Sequence, residues 1–195
     1  MRNYIAALAT SAFLFGATGA SVAADAYEFD ASHSQIIFSY NHLGFSTTYG
    51  MFSGFDGKAM LDMEDVSKSS VNLEINVGDL LITGWAGRDG HFKSPDFFNV
   101  EEFPIATFTS TSVVSTGEKT AKITGDLTIL DQTKSVVLDT VLNQVGKHPQ
   151  SQKDWAGFDA TTTLKRTDFN LGKFAPFVSD EVEIIISVEM GKVEG

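Results

Sequence analysis

"EVEIIISVEMG", residues 181–191, decides the fold. Val182, Ile184, Ile186, Val188 and Met190 fall on one face, and three glutamates and a serine fall on the other. Side chains of a strand alternate, so this segment reads as a strand with one face in a core and one in water. The same period of two returns in residues 71–77, where Val71, Leu73, Ile75 and Val77 alternate with Asn72, Glu74 and Asn76. It returns again in residues 121–129, where Ala121, Ile123, Gly125, Leu127 and Ile129 share a face.

Weaker alternation extends the pattern. "SQIIFSYNH" sets Ile36, Phe38, Tyr40 and His42 on one side. "YGMFSGFDGKAML" reads as one strand face carrying Tyr49, Met51, Ser53, Phe55, Gly57, Ala59 and Leu61. "IATFTSTSVV", "SVVLDTVLNQV" and "WAGFDATTTLKR" are further strands. Short turns at Thr116-Gly117 and Asp131-Gln132 join neighbours as antiparallel hairpins, and "GKHPQSQKDW" is a longer polar connection. The expectation is all-β: eight or nine long antiparallel strands closed into a barrel rather than stacked as a sandwich.

Only residues 84–103 break the rhythm. Trp85 to Phe92 predicts a short helix weakened by two glycines. Ser94-Pro95 predicts a second helix start, with serine as the cap and proline at the first helical position. Phe92, Phe97, Phe98 and Phe103 are too many rings for an exposed loop. The segment therefore reads as a lid over one barrel end, with Arg88 and Asp89 pinning it through an ion pair or a helix-terminus bond, and His91 serving likewise.

The chain ends and composition limit the function. Met1-Arg2-Asn3 is basic, Tyr4 to Gly19 is uncharged and largely apolar, and small residues precede Asp25. This is the layout of a cleaved secretory signal over residues 1–24, leaving a single domain over 25–195. The apolar run is short for a membrane span, so no stable membrane anchor is expected. No cysteine is present, which removes disulfides, thiolate metal sites, a cysteine nucleophile and a lipoprotein anchor. The net charge is -11, and -12 once Arg2 leaves with the signal. Such a chain is repelled by phosphate backbones, so nucleic acid is not an expected partner.

Catalysis and metal binding find no support. No nucleophile elbow is present, and His33, His42, His91 and His148 show no metal-ligand spacing. Neither an enzymatic activity nor a cofactor is expected. Small residues facing inward, such as Ala106, Gly125, Ala160 and Thr162, suit a hollow barrel, although small and large residues also alternate to fit a taper. An apolar lining suits an isoprenoid or acyl chain, which gains about 0.8 kcal/mol per buried CH₂. A sugar or nucleotide would leave polar groups unpaired there, at roughly 1–3 kcal/mol each.

The residues also resemble a known family. Asp30, His33, Ser34, His42, Leu43, Gly44, Gly50, Phe52, Phe55 and Gly57 fall where the opening pattern of the YceI family of periplasmic polyisoprenoid-binding proteins would place them. Arg88-Asp89, His91, Ser94, Asp96-Phe97-Phe98 and Phe103-Pro104 continue the match, then "ATFTSTSV", "ITGDLTILDQTKSVVLD" and "DEVEIIISVE". "TKSV" stands for the family's more common Thr-Lys-Pro-Val, and Phe92 for its leucine. The resemblance implies an eight-stranded lipocalin-like barrel with a short helical insertion capping one end. It also implies a tunnel holding a polyprenyl or ubiquinone-type lipid, for storage or transport and without catalysis.

The expected ligand contacts follow the inward faces. On the first strands they are Phe38, Tyr40, His42, Phe45, Met51 and Phe55. In the lid they are Trp85, Phe92, Phe97 and Phe98. On the later strands they are Phe108, Leu127, Phe158, Ile184 and Ile186. Tyr40, His42 or Trp85 would meet a polar head, since each carries a hydrogen-bonding atom. The alternative is a non-enzymatic stress-response or protein-interaction module with a packed interior. A quinone-handling role in electron transfer differs from lipid carriage only in the head group. A homodimer through an exposed barrel face is compatible with either.

Overall fold

Alternation writes itself into the backbone as eleven strands of one antiparallel sheet, seen in a computed structural model that describes residues 24–194. The expected signal lies outside the described residues. In chain order the strands are β1 (Asp25–Phe29), β2 (Gln35–His42), β3 (Ser46–Ser53), β4 (Asp56–Leu61), β5 (Ser70–Asn76) and β6 (Leu81–Ile82). They continue as β7 (Ile105–Ser115), β8 (Thr120–Ile129), β9 (Gln132–Lys147), β10 (Asp154–Lys165) and β11 (Glu181–Lys192). Two short helices, α1 (Val77–Leu80) and α2 (Ala86–Lys93), lie on either side of β6.

Eleven strands reduce to an eight-stranded closed barrel because three are interrupted. The circuit β1-β4-β5-β7-β8-β9-β10-β11 closes when β11 pairs back with β1. Strand β11 serves two partners. Its Glu183–Ser187 half pairs with β2 and its Met190–Lys192 end pairs with β1. Thus β1 and β2 are two halves of one bent strand, and β4 and β3 are the matching halves of the next. Strand β6 extends the β3 edge through Met51 and Phe52. No helix among the described residues is long and apolar enough to cross a membrane.

The bends change the phase of the inward face. In β3 the inward residues include Ser46, Thr48 and Phe52, whereas in β4 Ala59 is the buried one. Alternation carried unbroken through Gly54, which takes φ +81°, puts Tyr49 and Met51 inside. The structure corrects this. Tyr49 is exposed, and Met51 sits on the outer face beside its register partners Ile37 and Ile82. A turn residue with positive φ resets a period-two pattern, which no count of alternate residues registers.

The bend between β1 and β2 is tied by Asp30. Its carboxylate accepts from the Ser32 amide at 2.9 Å, the Ser32 hydroxyl at 2.6 Å and His33 Nδ1 at 2.7 Å. The Asp30 amide donates to the Glu189 carbonyl at 2.8 Å, which fastens the bend to β11. Below the bend, Tyr27, Ala59, Ala156 and Met190 form a buried cluster with Phe29, Phe158 and Val188 packed against it. That cluster fills the base half of the barrel. The opposite half stays open.

The knot titrates from both sides. Hydrogen bonds from Ser32 and then His33 hold the Asp30 carboxyl at about 2, and the bond with Asp30 raises His33 above its usual value. A lowered carboxyl stabilises the fold above its unfolded pKa of about 4 and loses this contribution as pH falls toward 2. A raised histidine stabilises below its unfolded pKa of about 6.5, and this is lost as pH rises through the folded value. Asp30→Asn should therefore lower the Tm most between about pH 4 and 6.5. Thermal melts of both proteins across pH should show the gap closing by pH 2 and narrowing above neutrality.

Candidate functional site

The open half of the barrel holds a cavity of about 670 Å³. Its wall is apolar and built from inward positions of successive strands. Ile36, Phe38, Tyr40 and His42 come from β2, Leu73 and Ile75 from β5, Ala106 and Phe108 from β7, and Leu127 and Ile129 from β8. Val136 and Leu138 come from β9, Thr162 and Leu164 from β10, and Val182, Ile184 and Ile186 from β11. The floor is the buried group of Ile36, Phe55, Ile75, Val77 and Ala106.

Close cross-strand approach keeps the interior empty. Phe38 lies over Gly50, its register partner on β3, where an added Cβ would come within 2.2 Å of the ring. Phe108 lies over Gly125 in the same way, at 2.3 Å. The tip of each ring rests on bare backbone of the neighbouring strand, so the ring belongs to the wall rather than the filling.

Two segments form the rim. The first leaves β5 at α1 and returns at β7. Its neck is closed by the Val77 amide donating to the Pro104 carbonyl at 2.8 Å. Within it, α2 forms where expected. The second helix does not. Ser94 ends α2, donating its hydroxyl to the His91 carbonyl at 2.7 Å, and residues 95–98 are turns. Asn99 at φ +42° turns the chain away before a second helix can propagate. Asp89 supplies the pin, accepting from the Thr83 amide at 2.8 Å and hydroxyl at 2.5 Å. The bond is to the residue before the helix rather than to Arg88, which instead donates to the Thr83 carbonyl at 3.4 Å.

Phenylalanine packs this lid onto the barrel. Phe92 stands 6.2 Å from Phe38 and 6.1 Å from Tyr40, ring centre to ring centre, and Phe98 meets Phe52 edge-on at 5.9 Å. Phe97 stacks between Phe92 at 5.2 Å and His91 at 5.0 Å.

The second rim segment, residues 166–180, was not read as part of the site from the sequence. Arg166 organises it. Its guanidinium donates to four backbone carbonyls: Ser179 at 2.8 Å, Leu171 at 2.6 Å, Lys173 at 3.1 Å and Val178 at 2.9 Å. Burial lowers the Arg166 pKa from its usual value. Phe169, Leu171, Phe174 and Val178 of this loop complete the wall. Asp96 ties the two segments together, paired with Lys173 on one and bonded to His91 Nε2 at 3.2 Å on the other. The Lys173 bond and then the His91 bond hold its carboxyl below the usual range.

Eleven of the fifteen expected contact residues line the cavity: Phe38, Tyr40, His42, Trp85, Phe92, Phe97, Phe98, Phe108, Leu127, Ile184 and Ile186. Four do not. Phe45 is exposed at the β2–β3 turn and Met51 is on the outer face. Phe55 is buried in the floor against Phe29, and Phe158 belongs to the base cluster. Asp30, His33 and Glu189 bring three possible metal-ligand atoms within 4.8 Å of one another, away from the cavity. Structural bonds explain them: Asp30 serves Ser32 and His33, and Glu189 accepts from Trp155 Nε1 at 2.9 Å.

Residues 27–190 match the family described as YceI-like domain. The chain belongs to the YceI-like family. It is similar to the UPF0312 protein of Ectopseudomonas mendocina (strain ymp), 43% identical over 97% of both chains. Among solved structures the fold matches Burkholderia cenocepacia BcnA, with TM-score 0.74, 24% identity, and 83% of this chain and 98% of that one covered. It also matches a polyisoprenoid binding domain from Saccharophagus degradans, with TM-score 0.67, 14% identity, and 87% and 99% covered. The fold shared with these structures is the closed antiparallel barrel.

Arg166→Met should lower the unfolding free energy by about 2–4 kcal/mol, because it strands carbonyl groups that the guanidinium now satisfies. Lys173→Met removes an exposed, solvent-screened ion pair and should lower it far less than Arg166→Met does. Urea unfolding of the two variants separates these outcomes.

Proposed function

We propose that this protein binds a long-chain isoprenoid lipid, polyprenyl or quinone-type, in the barrel cavity and stores or carries it in the periplasm. The observation that carries this reading is the cavity itself, about 670 Å³ of space walled almost wholly by hydrocarbon and open at one end. Water gains little from such a surface, whereas each buried CH₂ of a ligand contributes about 0.8 kcal/mol. The likeness in fold to a polyisoprenoid binding domain supports the ligand class, and the signal-like residues 1–24 support the compartment.

The mouth suggests how a head group is held. The charged side chains of the wall are Arg88, Lys165 and Arg166, all cationic, in a protein of net charge -11. A neutral or negatively charged head meets no like charge there. Arg166 directs its donors at the loop backbone, so Arg88, His42, Tyr40 and Trp85 are the groups that would face the head. The arrangement is one of binding: Asp96 is shared between His91 and Lys173, and the neighbouring Ser94 hydroxyl is spent on the His91 backbone carbonyl rather than on the imidazole. The open interior argues against the packed-barrel alternative, whose premise is a filled core.

Leu127→Trp and Ile186→Trp each put an indole into the cavity and should weaken octaprenyl-lipid binding at least about tenfold, a loss of roughly 1.4 kcal/mol. Native mass spectrometry of protein loaded with octaprenyl lipid and purified without detergent would read this directly. If both variants hold the lipid as the parent does, the cavity is not the binding site.

A further inference from the structure

The two ends of the barrel differ in what their turns expose. At the base, the β7–β8 turn carries Thr116, Gly117, Glu118 and Lys119, and the β9–β10 connection runs His148-Pro149-Gln150-Ser151-Gln152-Lys153. Both are polar. At the mouth, large apolar side chains stand in water. Phe45 is 89% exposed, Phe177 76% and Trp85 66%, with Leu43 and Phe174 about half exposed.

These residues are neighbours. The Leu43 amide donates to the Phe177 carbonyl at 3.1 Å, and His42 and Val178 form a β-bridge, so the β2–β3 turn and the Arg166 loop present one edge. Phe174 continues that edge to the lid, 6.3 Å from Phe97 and 6.4 Å from His91. Trp85 opens α2 on the same rim. Trp85 and Phe174 are exposed outside and also line the cavity, so apolar surface runs from the rim into the barrel. Soluble monomers rarely expose contiguous patches of this kind without a partner.

We infer that the mouth rim docks on a phospholipid bilayer, with Phe45 and Phe177 as wedges entering the headgroup boundary. This rests on the isoprenoid-carrier reading and names how that site is loaded. Three observations select a membrane as the occupant. The patch is continuous with the cavity, so a chain leaving a bilayer passes from hydrocarbon to hydrocarbon without crossing water. The rim combines Trp and Phe with Lys173, which is paired with Asp96 and whose Nζ stands 5.5 Å from the Phe174 ring centre. Aromatic rings with lysine or arginine are the composition of a membrane interface. Among the described residues the base turns expose no aromatic ring, only Met63 of the β4–β5 connection being large and apolar there, and this gives the docked barrel one orientation, mouth down.

Phe45 and Phe177 do not line the cavity, so they separate docking from binding. The test floats the mature protein with vesicles of phosphatidylethanolamine and a minor fraction of phosphatidylglycerol, free of isoprenoid. The parent should co-float, and the Phe45→Ser, Phe177→Ser double variant should partition at least about tenfold less. Its Tm and its binding of farnesol added from water should be unchanged. Uptake of octaprenyl lipid from loaded vesicles should slow by a similar factor. The inference is overturned if the parent stays in solution, or if the double variant floats as well as the parent. It is also overturned if the parent is a dimer that does not float and the substitutions turn it into a monomer, since the rim then binds a second copy. Loss of farnesol and octaprenyl binding by the parent would instead remove the carrier reading, whatever the flotation shows.

Discussion

Phenylalanine resting its ring tip on glycine is the contact on which the hollow half of this barrel depends. An eight-stranded barrel has an interior that large side chains can fill. Here Phe38 and Phe108 project inward yet take up little of that interior, because Gly50 and Gly125 let their rings settle onto the neighbouring strand. The rings still contribute hydrophobic burial, while the axis stays open between them. Below them the barrel follows the usual solution, with Tyr27, Met190 and Phe55 packed to exclusion. One sheet therefore holds a solid base and an open mouth, and the boundary falls at the buried floor of Phe55, Ile75 and Ala106.

The mouth is held by forces of unequal strength. Arg166 is a fixed post: its donors are spent on backbone carbonyls of its own loop, and that geometry is expensive to break. The Asp96 bridge between the two rim segments is exposed and weak in comparison. Aromatic contacts among Phe92, Phe97, His91 and Phe174 bridge the same gap and slide more easily than hydrogen bonds break. The rim is thus rigid within each segment and softer between them, where an entering chain would need room.

Much of the barrel was legible in the sequence, because alternation is a direct record of which residues face inward. Strands β2, β7, β8 and β11 put the expected residues on the cavity wall for that reason. The lid was legible too, from too many phenylalanines in a segment without period. What alternation cannot carry is a change of phase. The bend at Gly54 moved Met51 outward; Phe158 kept its inward phase with Ala156 and Ala160, and only its depth along β10 placed it in the base, which alternation does not record either. The Arg166 loop went unread although Phe169, Leu171, Phe174, Phe177 and Val178 give it the same signal as the lid. Arginine bonding to carbonyl groups leaves no trace in residue type, since every residue has a carbonyl.

The bent strands carry one more consequence. A sheet whose strands run unbroken from end to end transmits any insertion along its full length, so neither end can change alone. Here the bends at Asp30–Ser34 and Gly54–Phe55 act as expansion joints between β1 and β2 and between β3 and β4. A residue gained or lost in β2 or β3 is absorbed at the joint, and β1 and β4 keep their register at the base. Such a scaffold can be refitted at its opening for guests of different girth while its foundation stays as it was.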